Sequence, residues 1–305
     1  HHLQTPEQIA TASTPSVSPL RFPPKDLFAA RAQRLRQLAA GHAMGDFLNF
    51  SAALADAQQT VLSGYAAQRP DESILERSRR HGMPPLDAEG AAPEAGWRAR
   101  LFALLDALQP LAPSAVLAPI ARLRALEAAT LADEARAILQ LDNGPLDFAS
   151  APLLAAALQV EWTARALTLK AADFTIGMET SLCPVCGSHP VASTVRIGDA
   201  GHGIRYAQCS LCACEWHVTR VKCVPCMDTR DIHTLSLETT DGEQHHPGVK
   251  VEICGSCHSS LKLMSMEKDP LVDPFADDLA TLSLDLLADD EGFHRAGRNL
   301  FLFTP

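Results

Sequence analysis

The apolar positions in the first half of the chain recur with the period of an α-helix. The clearest case is the segment 97–108, whose leucines at i, i+3, i+4 and i+7 are Leu101, Leu104, Leu105 and Leu108. This period, with glycine and proline at the segment ends, predicts six helices. They cover Asp26–Ala40, Asp46–Leu62, Asp71–Arg80, Trp97–Leu108, Ala115–Gln140 and Leu153–Leu169. The last is the most apolar, and we expect it at the centre of a helical bundle.

After Thr180 the pattern changes to short apolar stretches separated by turn residues, which is typical of strands. The predicted strands are Val191–Ile197, Ile204–Gln208, Trp216–Val221, His233–Glu238 and Val249–Ile253, with turns at the glycines of 198–203 and at 239–242. A helix is predicted over Asp277–Asp289. Its neighbouring carboxylates Asp277 and Asp278 are expected on a solvated face.

Composition and charge narrow the range of functions. The 305 residues are 47% apolar and 20% charged, as expected of a globular chain, and the net charge is −10. From Cys183 to Lys262 seven basic residues face eight acidic ones, so no basic stripe is available for phosphates and we expect no nucleic-acid partner. No apolar segment is long enough to enter a membrane, and no export signal opens the chain, so we expect a cytoplasmic protein.

Four Cys-x-x-Cys pairs dominate the second half of the chain. The pairs are Cys183/Cys186, Cys209/Cys212, Cys223/Cys226 and Cys254/Cys257, and 22, 10 and 27 residues separate them in turn (187–208, 213–222 and 227–253). Two thiolates on one tight turn bind one metal ion, and two such turns complete a tetrahedral site. The sequence therefore predicts two four-Cys metal sites, with disulfides as the alternative.

Two ways of grouping the four pairs are open. Sequential grouping joins the first pair to the second and the third to the fourth, whereas cross-braced grouping joins the first to the third. Because a hairpin returns its ends to one strand spacing, we favour sequential grouping. Zinc and iron suit such a site about equally. The ninth cysteine, Cys214, is expected to be a buried free thiol, with a role as a rival ligand as the alternative.

Several of these segments resemble the FdhE-type formate dehydrogenase accessory proteins. The similar residues are Cys183-Pro-Val-Cys-Gly-Ser188, Cys209-Ser-Leu-Cys-Ala-Cys-Glu-Trp-His217, Cys254-Gly-Ser-Cys257 and, upstream, Gly45-Asp-Phe-Leu48 and Pro84-Pro-Leu-Asp87. The resemblance covers nearly the whole chain from about Leu20.

The resemblance implies a cytoplasmic adaptor or maturation factor that is not an enzyme. Such proteins act on the catalytic subunit of a molybdenum- or tungsten-dependent formate dehydrogenase. The resemblance also implies rubredoxin-like modules with two mononuclear ions, iron being expected and zinc the alternative. Beside the metal, Glu215, Trp216 and His217 are our candidates for partner binding, with packing of Trp216 in the module core as the alternative. A second hypothesis is a rubredoxin-like electron carrier or redox sensor.

The predicted fold class is α+β. An N-terminal all-α helical bundle is followed by two tandem rubredoxin-like or ribbon modules and a C-terminal helix. The predicted domain ranges are a disordered start with a tag remnant (1–20), the helical domain (21–179), the first module (180–222), the second module (223–268) and the C-terminal helix and tail (269–305).

Overall fold

The computed structural model describes residues 18–90, 96–175, 179–198, 203–237 and 246–303. Within these ranges the first half of the chain is helical. The helices are α1 (Leu27–Ala39), α2 (Gly45–Ser63), α3 (Glu72–His81), α4 (Trp97–Leu108), α5 (Ser114–Ala125), α6 (Ala128–Leu139) and α7 (Ala151–Ala166). Single 3-10 turns lie at Gln109–Leu111 and Ala171–Asp173. Among the described helices, none combines the length and the apolar character that a membrane span requires.

Helix α7 lies at the centre of the helical domain, as the sequence predicts. Nearly every residue of this helix is buried, including Leu154, Leu158 and Trp162. A helix that is apolar on all sides must be surrounded by protein. The four leucines that defined α4 are also buried completely and form part of the same core.

The single helix predicted over Ala115–Gln140 is wrong, because the chain forms two helices there. Leu126 and Glu127 are extended, with ψ of 138° and 147°, and they separate α5 from α6. This break lets Arg122 bind the carboxylate of Glu134. In one straight helix these residues would be about 18 Å apart along the axis.

The described strands form one sheet, and all of them except β1 come from the second half of the chain. Its strands are β1 (Leu20–Arg21), β2 (Pro190–Val195), β3 (Arg205–Cys209), β4 (Glu215–His217), β5 (Ile232–Leu235), β6 (Val249–Cys254), β7 (Ser259–Ser265) and β8 (His294–Arg295). The order is β1-β4-β3-β2-β7-β6-β5, and β8 pairs with β7. Strands β2 and β7 pair in parallel, so the two cysteine modules share a continuous sheet rather than following one another as separate ribbons.

Three predictions about strands need correction. The strand after Ile253 was missed: β7 forms the antiparallel partner of β6. Strand β4 stops at His217 and does not continue to Val221. Leu20, which the prediction assigned to a disordered start, is buried and pairs with Trp216 in the sheet. Residues 1–17 and the predicted turn at 239–242 lie outside the described residues.

The C-terminal segment packs on the helical domain through buried charges. The predicted helix Asp277–Asp289 is in fact two short helices, α8 (Ala276–Ala280) and α9 (Leu282–Asp290), which Thr281 separates. The expectation that Asp277 and Asp278 face solvent is wrong, because both are completely buried. Asp277 binds Arg34 of α1, and Asp278 binds Lys262 and Arg295. The cations paired with these carboxylates offset the free energy that burying their charges costs.

Candidate metal centres

Each Cys-x-x-Cys pair lies on a tight turn of the same form. The residue after the second cysteine has a positive φ in all four turns: Gly187 (79°), Ala213 (57°), Met227 (61°) and His258 (54°). In the first, third and fourth turns, the backbone N–H of this residue donates to the carbonyl of the first cysteine at 2.8, 2.9 and 2.8 Å. Only glycine adopts this conformation without strain, so the intrinsic preferences of Ala213, Met227 and His258 oppose it. The structure shows one geometry for all four.

The sulfur atoms group sequentially, as predicted. Cys183 and Cys186 meet Cys209 and Cys212, and the four Sγ atoms of this first cluster lie within 4.8 Å of one another. Individual Sγ–Sγ distances are 3.6 Å for Cys183–Cys212 and 3.3 Å for Cys186–Cys209. All four thiols are free, which argues against disulfides.

The second cluster repeats this arrangement with Cys223, Cys226, Cys254 and Cys257. The Sγ–Sγ distance is 3.7 Å for Cys223–Cys257 and 3.8 Å for Cys226–Cys254. In a tetrahedron with metal–sulfur bonds of about 2.3 Å, neighbouring sulfurs are about 3.8 Å apart. Both clusters therefore fit a single ion with four thiolate ligands, and a full set of ligands leaves no position for substrate.

Burial distinguishes the two clusters. Every cysteine of the first cluster is buried, whereas in the second Cys226 is exposed and Cys257 is half-buried. Burial raises the pKa of the Cys183 thiol, because the charged form loses its hydration. Burial also acts to raise the pKa of Cys257, but hydrogen bonds from the hydroxyl and backbone N–H of Ser259 lower it to about 7. A bound cation would compensate the charge of the buried thiolates.

The first cluster is attached to the helical domain by backbone hydrogen bonds. The loop before α4 donates from the N–H of Leu86 to the carbonyl of Val185 and from the N–H of Ala88 to that of Cys186, each at 2.9 Å. From the helical side, Gln159 Nε2 donates to the carbonyl of Ser210 at 2.7 Å. No motif in this loop predicts its contact with a metal centre. Its segment Pro84-Pro-Leu-Asp87 stood out only through the family resemblance.

A buried ion pair joins the two modules. Arg205 of β3 donates two hydrogen bonds, at 2.9 and 3.0 Å, to the carboxylate of Glu252 on β6, and the two side chains are 0% and 7% exposed. Arg205 also donates to the carbonyl of Lys222, directly before the ligand Cys223, at 3.0 Å. This arginine therefore connects the strand leading into the first cluster with the turn that begins the second.

The segment proposed for partner binding is largely inside the protein. Trp216 is 2% exposed, and its Nε1 donates to the carbonyl of Thr180 at 2.8 Å. Glu215 is buried and ion-paired with Arg21 and Arg196. These positions favour the alternative that Trp216 packs in the module core. His217 is the member of the segment that is partly exposed, and the partner role of the segment stays a prediction.

Two further side chains near the clusters, Cys214 and His258, lie outside the ligand sets. Cys214 is buried, lies outside both clusters, and burial raises the pKa of its thiol, as expected of a free core cysteine. His258, which follows the ligand Cys257, is exposed and stacks on Phe293 with 6.1 Å between ring centroids. Its position is that of a surface side chain, not of a ligand.

Comparison with known proteins agrees with this architecture along the whole chain. Three family descriptions match in succession: "FdhE, N-terminal" over residues 17–177, "FdhE, central domain" over 182–220 and "FdhE, C-terminal domain" over 221–302. The boundary at 220–221 falls between the two cysteine clusters, and the first boundary falls just before the first Cys-x-x-Cys pair.

Related proteins and a solved structure extend the match. An FdhE homologue from Pseudomonas aeruginosa is 41% identical over 97% of this chain and 96% of its own length. One from Klebsiella pneumoniae is 40% identical over 94% and 92%. The crystal structure of the FdhE protein from Pseudomonas aeruginosa superposes with a TM-score of 0.82 at 40% identity, covering 93% of this chain and 98% of that one. Sequence, cysteine geometry and fold together show that this chain belongs to the FdhE family.

Proposed function

We propose that this protein is a cytoplasmic accessory protein of a molybdenum- or tungsten-dependent formate dehydrogenase. It binds the catalytic subunit and takes part in its maturation or activation, with no turnover of its own. The observation that supports this most strongly is family membership along residues 17–302. The closed four-Cys clusters agree, because a metal with four protein ligands stabilises structure or transfers electrons rather than binding substrate.

Each cluster is proposed to hold one mononuclear metal ion, with iron expected and zinc as the alternative. The eight cysteines of the two clusters would be the ligands, and the Sγ–Sγ distances support the assignment. A bound ion supplies folding free energy and, in the case of iron, one-electron redox chemistry. Metal analysis and the visible spectrum of protein purified without oxygen test this assignment. Two equivalents of iron with a thiolate-to-iron band are expected, and two equivalents of zinc would select the alternative.

A second candidate function is that of a rubredoxin-like electron carrier or redox sensor. The exposure of Cys226 favours this function, because electrons reach a ligand at the surface more easily than a buried centre. Reversible bleaching of the visible band on reduction would support this function. A metal content consisting of zinc would contradict it.

Capture of the catalytic subunit from an anaerobic lysate tests the accessory function. Tagged protein is expected to retain that subunit, identified by immunoblot, and Cys209→Ser to retain less because its first module loses metal. A His217→Ala variant tests the predicted contact at 215–217. Absence of the subunit from the wild-type eluate at several salt concentrations would contradict the proposal.

A further inference from the structure

Two adjoining cavities lie where the helical domain, the first cysteine turn and the C-terminal tail meet. The first has a volume of about 380 Å³ and is lined by residues of all three regions, among them Pro84, Gly187 and Leu300. The second, of about 350 Å³, lies between the end of α6 and the tail. Leu141 and Arg298 line both cavities. We call the pair of cavities the junction trough.

Arg298 has no anionic partner among the residues that the structure describes. Its Nη1 atom is buried with no hydrogen-bond partner, and within the described part of the chain no carboxylate forms an ion pair with it. Its aromatic contact is with Phe303, 5.0 Å from the ring centroid. Burial lowers the pKa of Arg298, and no neighbouring charge offsets that effect. A buried guanidinium nitrogen without a partner is costly, and an anion bound beside it would remove that cost.

The second cavity suits the negative end of a ligand. Its other cation, Arg295, is already paired with Asp278 and Asp285. No acidic residue of the described chain lines this cavity. The carboxylates of Asp87 and Glu89 line the first cavity alone, where both residues are exposed.

A hydrogen-bond acceptor without a partner among the described residues lines the same cavity as Arg298. Asn143 lines the second cavity, and its Oδ1 atom is buried without a hydrogen-bond partner. A carboxylate can satisfy Arg298 but cannot donate to Asn143. A peptide backbone N–H can, so a ligand that carries both a carboxylate and an amide fits the two orphaned atoms.

Leu141 occupies a position where folding alone would favour glycine. It follows the end of α6 with φ of 58°, and the N–H of Asp142 donates to the carbonyl of Ala137 across the helix end, the pattern that glycine usually closes. The leucine side chain is 44% exposed, so burial does not offset the strained backbone. Leu182, which also lines the first cavity, is 38% exposed. Two exposed leucines from different domains therefore line one opening.

We propose that the junction trough binds an extended peptide segment in which an apolar side chain lies close to a carboxylate. The apolar side chain contacts Leu141 and Leu182 in the first cavity, the carboxylate binds Arg298, and a backbone N–H donates to Asn143. A small free carboxylate would leave the leucines and Asn143 uncovered, which is why a peptide is the occupant. We assign this segment to the dehydrogenase subunit, an assignment that rests on the proposed function.

Selection from a random nonapeptide phage library on the intact protein tests the site without reference to any client. Selected peptides are expected to pair Leu, Ile or Phe with a nearby Asp or Glu. In fluorescence anisotropy, Arg298→Gln is expected to weaken their binding about tenfold or more. Leu141→Gly is expected to weaken binding while raising the Tm by about 2 °C, because glycine relieves the strained backbone. Loss of binding in a stabilised variant cannot be attributed to misfolding.

Two control variants change residues of the same type outside the junction trough. Arg80→Gln removes an exposed arginine and Leu286→Ala an apolar side chain that is 68% exposed, both outside the trough, and both should leave binding unchanged. The proposal is overturned if no acidic–apolar peptide is enriched. It is also overturned if Arg298→Gln binds as well as wild type, or if acetate competes as strongly as the selected peptides.

The two proposals fail in different ways. If Arg298→Gln and Leu141→Gly capture the catalytic subunit as well as wild type, the trough is not its docking site, although the accessory function stands. If wild type does not capture the subunit but peptide selection behaves as expected, the accessory function fails and the trough remains a peptide site.

Discussion

The two cysteine clusters have the same ligands and the same turn geometry, but their surroundings differ. The first is buried on all sides, partly beneath a loop of the helical domain whose backbone bonds to Val185 and Cys186. The second lies at the far side of the sheet with Cys226 exposed, next to the edge strand β5. Access to a metal centre is thus set here by the neighbouring elements and not by the ligands.

This difference assigns the clusters different structural roles. Because the helical domain binds directly to the first turn, loss of the first metal centre should destabilise both the helical domain and the sheet. The second centre holds β5, β6 and β7 together and has no comparable set of hydrogen bonds to the helices among the described residues. Regions with fewer buried contacts open locally at lower free energy.

The largest expected effect is the difference in helical stability between the Cys183→Ser and Cys254→Ser variants. A structural four-ligand site contributes about 10–16 kcal/mol of metal-binding free energy to folding. Each variant should retain one ion, but Cys183→Ser should also lower the thermal stability of the helices in far-UV circular dichroism. Cys254→Ser should leave helical melting nearly unchanged.

Cys214→Ser is the matched control, since Cys214 is buried but belongs to neither cluster. It should retain two ions. Equal helical destabilisation by Cys183→Ser and Cys254→Ser would show that the clusters are equivalent in spite of their different burial.

The next effect concerns the ion pair between the modules. Glu252→Gln leaves the buried Arg205 guanidinium without its counter-charge, which should lower the free energy of unfolding by about 3–5 kcal/mol. Urea denaturation measures the loss, and the second module should unfold in a separate first transition. The double variant Arg205→Met/Glu252→Leu removes both charges and should recover most of the stability. A single unchanged transition in Glu252→Gln would mean that the pair does not couple the modules.

The smallest expected effect is the change in the free energy of unfolding when the residue with positive φ in a turn is replaced. Gly187→Ala should cost about 1 kcal/mol through its positive φ, because an added Cβ would meet Pro84 only at an ordinary 3.5 Å. Met227→Gly should have the opposite sign, a gain of about 0.5–1 kcal/mol, and should act on the second cluster alone. Chemical denaturation of the metal-loaded variants gives both values. A gain from Gly187→Ala would contradict the common geometry of the turns.

Local features were predictable from the sequence because their causes are local. The period of the leucines located α4 without error, and hairpins between cysteine pairs led to the observed grouping of sulfurs. The intrinsic preference of Ala213, Met227 and His258 is against a positive φ. All three are left-handed nonetheless, and Met227 and His258 each donate their N–H to the carbonyl of the first cysteine in their turn.

Features that depend on distant partners were not predictable. Asp277 looks like a surface carboxylate until Arg34, 243 residues away in the chain, is placed beside it. The parallel pairing of β2 with β7 likewise joins segments about 70 residues apart in the chain, and no local turn signal predicts it. The orphaned Nη1 of Arg298 is visible only once its surroundings are known.

Native mass spectrometry during chelation tests the inequality of the two clusters most directly. Metal-loaded protein is treated with EDTA, and the populations with two, one and no ions are followed over time. The ion of the second cluster should leave first, so that a one-ion species accumulates, and the ion of the first cluster should leave about tenfold more slowly or slower still. Hydrogen exchange of the one-ion species should increase around 223–265 alone. Simultaneous loss of both ions, or a one-ion species that has lost protection around 183–212, would contradict the account.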